Sequence, residues 1–105
     1  MIREKLPTRR AAETVRFIHR NDYHDFGFSR FPDGRVAEVF AYSHYGKGAH
    51  GETEARDASI ILSVALQHGT PLATIAHAIT RDDKGAAAGI IGAVVDAIMD
   101  LEKNS

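Results

Sequence analysis

The side chains with the most chemical capacity stand around one short segment. Glu38, His44, Lys47 and His50 flank or occupy the run Gly46-Lys47-Gly48-Ala49-His50-Gly51. A glycine loop that runs into a helix can turn backbone N–H groups toward an anion. A carboxylate, an ammonium and two imidazoles beside it would suit a small ligand or a nucleotide. The run is not a Walker loop, because neither Gly-Lys-Ser nor Gly-Lys-Thr closes it. Glu52 and Glu54 also follow directly, where a phosphate would sit, so the acids can complement the helix dipole themselves.

Other chemistries find less. The histidines His19, His24, His44, His50, His68 and His77 show no ligand spacing such as His-x-x-x-His, and zinc needs three or four converging ligands. No metal or cofactor is expected. Ser29, Ser43, Ser59 and Ser63 lie in strand or helix patterns without a nucleophile elbow. Glu38 shares an alternating run with Val36 and Phe40, which suits either a partly buried acid–base group or a cross-strand ion pair with Arg30 or Arg35. No catalytic residue is assigned. The chain has no cysteine, which removes disulfides, thiolate metal sites and thiol chemistry and makes a cytoplasmic location the expectation.

The elements that must position these residues follow from period and punctuation. Thr14 to Arg20 is β-branched and aromatic, Asn21-Asp22 is a turn, and Tyr23 to Phe31 alternates with Phe26 and Phe28 on one face. Pro32-Asp33-Gly34 has tight-turn chemistry, and Arg35 to Ser43 is a third strand with Val36, Glu38, Phe40 and Tyr42 on one side. Short links between three strands predict an antiparallel meander. From about Glu52 to His68 the period is helical, with Ala55, Ala58, Leu62, Ala65 and Leu66 facing a core. Ile60 and Val64 lie on nearly the opposite side, so this helix is either central or shared with another subunit. Gly69 fits the position after the helix end, Thr70 an N-cap and Pro71 a first helical residue. A short helix through Leu72, Ile75, Ala76 and Ile79 follows. The polar loop Thr80–Gly85 then leads to a last helix from Ala86 to Glu102, whose Gly89, Gly92, Ala93 and Ala97 allow close packing. The expected fold is α+β: a three-stranded antiparallel meander followed by three helices packed on one face, in a single domain spanning 1–105.

Net charge is −1, but residues 1–20 carry six bases, Arg3, Lys5, Arg9, Arg10, Arg16 and Arg20, against two acids. A basic arm over 1–12 could meet phosphate or an acidic partner face. The acidic remainder and the absence of a recognition motif argue against nucleic acid. No apolar run approaches the roughly 18 residues of a bilayer span, and Met1 to Lys5 lacks the apolar centre of a signal peptide.

The order of parts resembles the TSCPD domain, found at the C-terminus of adenosylcobalamin-dependent ribonucleotide reductases and as small stand-alone bacterial proteins. The matching residues are Asp33-Gly34-Arg35, then Glu38-Val39-Phe40, Lys47-Gly48, and Ala58-Ser59 through Gly69-Thr70-Pro71-Leu72. They cover about residues 23–80, with a weaker continuation through Gly92 to Asp96. The namesake Thr-Ser-Cys-Pro-Asp motif is absent, and 105 residues leave no room for a reductase barrel. The resemblance implies a non-catalytic accessory or binding module that associates with itself or with a larger enzyme, with a link to deoxyribonucleotide synthesis. A small-ligand or nucleotide binder using Lys47–Gly51, with Glu38, His44 and His50, is the alternative, and nucleic-acid binding through the basic arm a further one.

Overall fold

A computed structural model describes residues 2–7, 11–42 and 49–103, without the side chains of 49–52. Its three strands, β1 (Ala12–His19), β2 (Asp22–Arg30) and β3 (Val36–Ala41), form one antiparallel sheet in the order β1-β2-β3. Three helices follow, α1 (Ala49–Gln67), α2 (Leu72–Ala78) and α3 (Ile90–Lys103). The expected α+β meander is therefore the fold. Helix α1 lies along β3, α3 lies against β1, and α2 packs on α3.

Strand register decides which side chains enter the core. Val15 opposes Phe26, and Phe28 opposes Val39. Directly opposed residues share a face, so Val15, Phe26, Phe28 and Val39 form one apolar layer. That layer packs against Ala55, Leu62 and Leu66 of α1, Leu72 of α2, and Val94, Val95 and Ile98 of α3. Phe26, Phe28, Val94, Val95 and Ile98 are fully buried. At about 25 cal/mol per Å² of apolar surface, these large side chains supply most of the driving force for folding.

Strict alternation put Val36 beside Glu38 and Phe40, and the structure corrects this. The register shifts between Ser29 and Arg30, so Ser29 opposes Glu38 while Arg30 opposes Val36. A bulge inserts one residue, and it swings Val36 into the core while Glu38 and Phe40 stay on the opposite face. On that opposite face Gly27 lies directly across from Phe40, whose ring occupies the space a Cβ would need.

The links also depart from sequence expectation in instructive ways. Arg20 and Asn21 both adopt positive φ, 53° and 69°, the backbone of a two-residue hairpin turn. The β2–β3 turn forms as expected. Gly34 takes φ 97°, and the Asp33 carboxylate accepts hydrogen bonds from the Arg35 N–H and Nε. These bonds hold the Asp33 pKa below its ordinary value. After α1, Gly69 takes φ 97°; its N–H reaches Leu66 O, and the Thr70 N–H reaches Ala65 O. That bond pair is a Schellman stop. Thr70 does not cap α2. Pro71 occupies the cap position with extended backbone and no side-chain cap.

Helix α3 begins at Ile90 rather than at Ala86. Asp82 accounts for the delay, because its Oδ1 accepts the N–H groups of Lys84 and Ala86. The Ala88 N–H meanwhile donates to Thr80 O, so 82–88 is held as a loop instead of a first helical turn. The Arg81 guanidinium grips both oxygens of Asp96 at 2.8 and 2.9 Å and also donates to Ala76 O and Gly85 O. The loop is thus tied to α2 and α3. Gly92 meets Ile79, the residue that ends α2, and Ala87: an added Cβ would lie 2.8 Å from Ile79 Cδ1 and 3.1 Å from Ala87 Cβ.

Two expectations follow. Gly27→Ala forces the Phe40 ring aside and lowers stability by about 1–3 kcal/mol. Adding Phe40→Ala recovers part of that loss in a denaturant double-mutant cycle. At the hairpin tip, desolvation first, then repulsion from Arg20 and His24, lowers the His19 pKa below 6.5. Just below 6.5 the unfolded chain therefore binds more protons than the folded one, so stability decreases as the pH is lowered through that window. His19→Gln should flatten that part of a urea-midpoint profile between about pH 7.5 and 5.5.

A cleft between the outer strand and the long helix

Strand β3 ends the sheet, so alternate residues turn their N–H and C=O away from β2. Helix α1 meets those groups with side chains. Ser63 Oγ accepts from the Val39 N–H at 2.9 Å and donates to Val39 O at 3.0 Å. One turn later, Gln67 Nε2 donates to Ala37 O at 3.1 Å. The match is geometric. Four helical residues advance about 6 Å, and two strand residues advance about 6.6–6.8 Å. Running antiparallel, the two elements stay in step. The next step back places Ser59 beside Ala41, and both line the same cleft.

That cleft has a volume of about 470 Å³ and opens between β3 and α1. Arg3, Glu38 and Gln67 stand toward one end, Arg56 and Ser59 toward the other, with Phe40, Ile60 and Val64 between. Arg3 arrives through the N-terminal segment. Its Nε donates to Gln67 Oε1 at 2.6 Å, and the Glu4 N–H donates to Gln67 O at 2.7 Å. Gln67 is thus a relay: its amide nitrogen holds β3 and its amide oxygen orients Arg3. Ser59 Oγ is buried and has no hydrogen-bond partner among the described residues.

Of the four residues singled out for ligand binding, Glu38 lines this cleft half-buried. It is engaged by another group. Its proposed ion pairs with Arg30 or Arg35 do not form, because both arginines are committed elsewhere. Arg30 binds Glu13 at 2.7 Å and Glu102 at 2.5 Å, joining β1, β2 and α3, and these acids raise its pKa. Arg35 binds Asp33 and Glu4. His44 and Lys47 lie outside the described residues. His50 falls in the first turn of α1, which starts at Ala49, so the last part of the glycine segment is helix and not loop. An internal glycine such as Gly51 is tolerated there at a cost of about 0.5–1 kcal/mol.

The remaining candidates resolve locally. The His19 and His24 rings approach to 6.2 Å, and His24 Nε2 donates to His19 O. His68 Nδ1 donates to Val64 O. Among the described residues no three histidines or carboxylates converge to hold a metal ion. Of the bases in residues 1–20, Arg3 in the arm bonds Gln67, while Arg16 of β1 pairs with Asp25 and Arg20 of the hairpin turn reaches Ala88 O. Among the described residues no helix is long and apolar enough to cross a membrane. Sequence reasoning missed Arg3, Ser59, Ser63 and Gln67 as a set. The i, i+4, i+8 spacing of Ser59, Ser63 and Gln67 was the available signal. Comparison with protein-family models, curated proteins and solved structures found no match.

Two serines one turn apart should respond oppositely to the same change. Ser63→Ala orphans both Val39 backbone groups and should lower stability by about 1–3 kcal/mol. Ser59→Ala removes a buried hydroxyl without a partner among the described residues and should be neutral or stabilising in chemical denaturation.

Proposed function

We propose that this chain is a non-catalytic accessory module that acts by association, of the kind its TSCPD resemblance implies. The reading rests above all on one observation. Ile60 and Ile61, adjacent on α1, are 60% and 70% exposed, although the rest of that helix is anchored to β3 and the core. Isolated apolar residues on a surface are ordinary. Here Ile60 lines one cleft with Val64 and Phe40, and Ile61 is its neighbour in sequence, which makes an exposed apolar area on this helix. The helix is not central, so sharing with another chain is the remaining half of the sequence expectation. A cobalamin-dependent ribonucleotide reductase, or a second copy of this chain, is the partner that the resemblance implies.

The wild-type chain should sediment as an oligomer, or co-sediment with such a reductase. Ile60→Asp together with Ile61→Asp should return it to monomer mass with its thermal transition unchanged. A wild-type monomer that ignores the reductase refutes the proposal.

A further inference from the structure

We propose that the cleft between β3 and α1 is a binding site for a small organic oxyanion, a carboxylate or phosphate group carried on an apolar body. The first support is the state of Arg3. Its Nε is fixed by Gln67 Oε1 at 2.6 Å, and Gln67, itself only 6% exposed, is fixed by Ala37 O. The guanidinium plane is thereby oriented. Its two terminal nitrogens have no partner among the described residues, so it presents the forked donor edge that matches a carboxylate or phosphate. A surface arginine tethered at Nε by a nearly buried amide is held in position before any ligand arrives, which lowers the ordering cost of binding.

The second support is independent. Ser59 lines the far end of the cleft, is 2% exposed, and its hydroxyl has no partner among the described residues. Buried hydroxyls nearly always find a partner, and those that do not call for an explanation. Because Ser59 lines the cleft, a ligand oxygen there would supply the missing bond. Arg56 and Glu38 also line the cleft, each engaged by another group. Between the two polar ends the walls are Val39, Phe40, Ile60 and Val64, which suit an aliphatic or aromatic body. The volume, about 470 Å³, lies in the usual range for small-molecule sites.

The test is a titration of the full chain followed by amide and side-chain NMR, with hexanoate, hexyl phosphate and inorganic phosphate as separate probes. Saturable shifts at Val39, Phe40, Ser63, the Gln67 amide and Arg3 Nε–H are expected with one or both of the hexyl probes. The tighter of the two identifies the head group. Inorganic phosphate, which lacks the apolar body, should bind at least about tenfold more weakly. Arg3→Gln should weaken the hexyl probe by about tenfold or more, while Arg20→Gln, which removes a charge elsewhere, changes nothing. Ser59→Ala should weaken it several-fold without loss of thermal stability. Saturation absent for both hexyl probes overturns the assignment. So does binding that Arg3→Gln leaves intact, or equal binding of inorganic phosphate. Phe40, Ile60 and Val64 belong to both surfaces, so solution mass is measured at the titration concentration and the binding result is read on the monomer, which separates failure of this assignment from failure of the association reading.

Discussion

The structure depends on how the open edge of a three-stranded sheet is closed. A sheet this small leaves unpaired N–H and C=O groups along its outer strand, and such groups invite pairing with other chains. Here the N–H and C=O of Val39 both bond one serine hydroxyl, and Ala37 O bonds a glutamine amide. Helix α1 therefore does two jobs with two stripes. Ala55, Leu62 and Leu66 enter the core, while Ser63 and Gln67 satisfy the strand edge.

Once α1 is fixed in this way, much else follows. Its third side falls to solvent, which exposes Ile60 and Ile61. Its C-terminal turn gathers the N-terminal segment through Gln67, because both the backbone and side-chain oxygens of that residue accept bonds from 3–4. The Schellman stop at Gly69 then reverses the chain so that α2 can place Leu72 in the core. The helix-covered face toward β1 and α3 is also secured by charge. Arg30 links Glu13 of β1 and Glu102 of α3 across the Phe28 ring, 5.3 Å from its centroid. Partly exposed pairs of this sort contribute modestly. Their value here is to hold α3 in register with the hairpin.

Most elements were legible because local rules and tertiary packing agree. The Pro32-Asp33-Gly34 turn, the stop at Gly69, the alternation of Phe26 and Phe28, and the heptad-like spacing of Ala55, Leu62 and Leu66 each have one physical solution. The misreadings have two local causes, a polar side chain that captures backbone groups and a residue inserted into a strand. Asp82 took the Lys84 and Ala86 N–H groups and delayed α3. At the bulge beside Arg30, an added residue reversed the facing of Val36. Neither change alters hydrophobicity, so neither registers in a periodic pattern. Glu38 was rightly placed on a half-buried strand face, but its neighbours were misassigned, because Arg30 and Arg35 found acids nearer in space.

The sequence by itself determined the α+β order, the turn chemistry and the core stripes, since these are set by residues within a few positions of one another. It also determined that no thiol chemistry takes place, because the chain has no cysteine. Only the tertiary structure decided that Ser59, Ser63 and Gln67 run alongside β3, and that Arg3 is oriented by a residue 64 positions away. Those facts depend on helical and strand rises keeping step across a long-range contact. No local pattern encodes which strand edge a polar helical stripe will meet, and the cleft exists only after that choice is made.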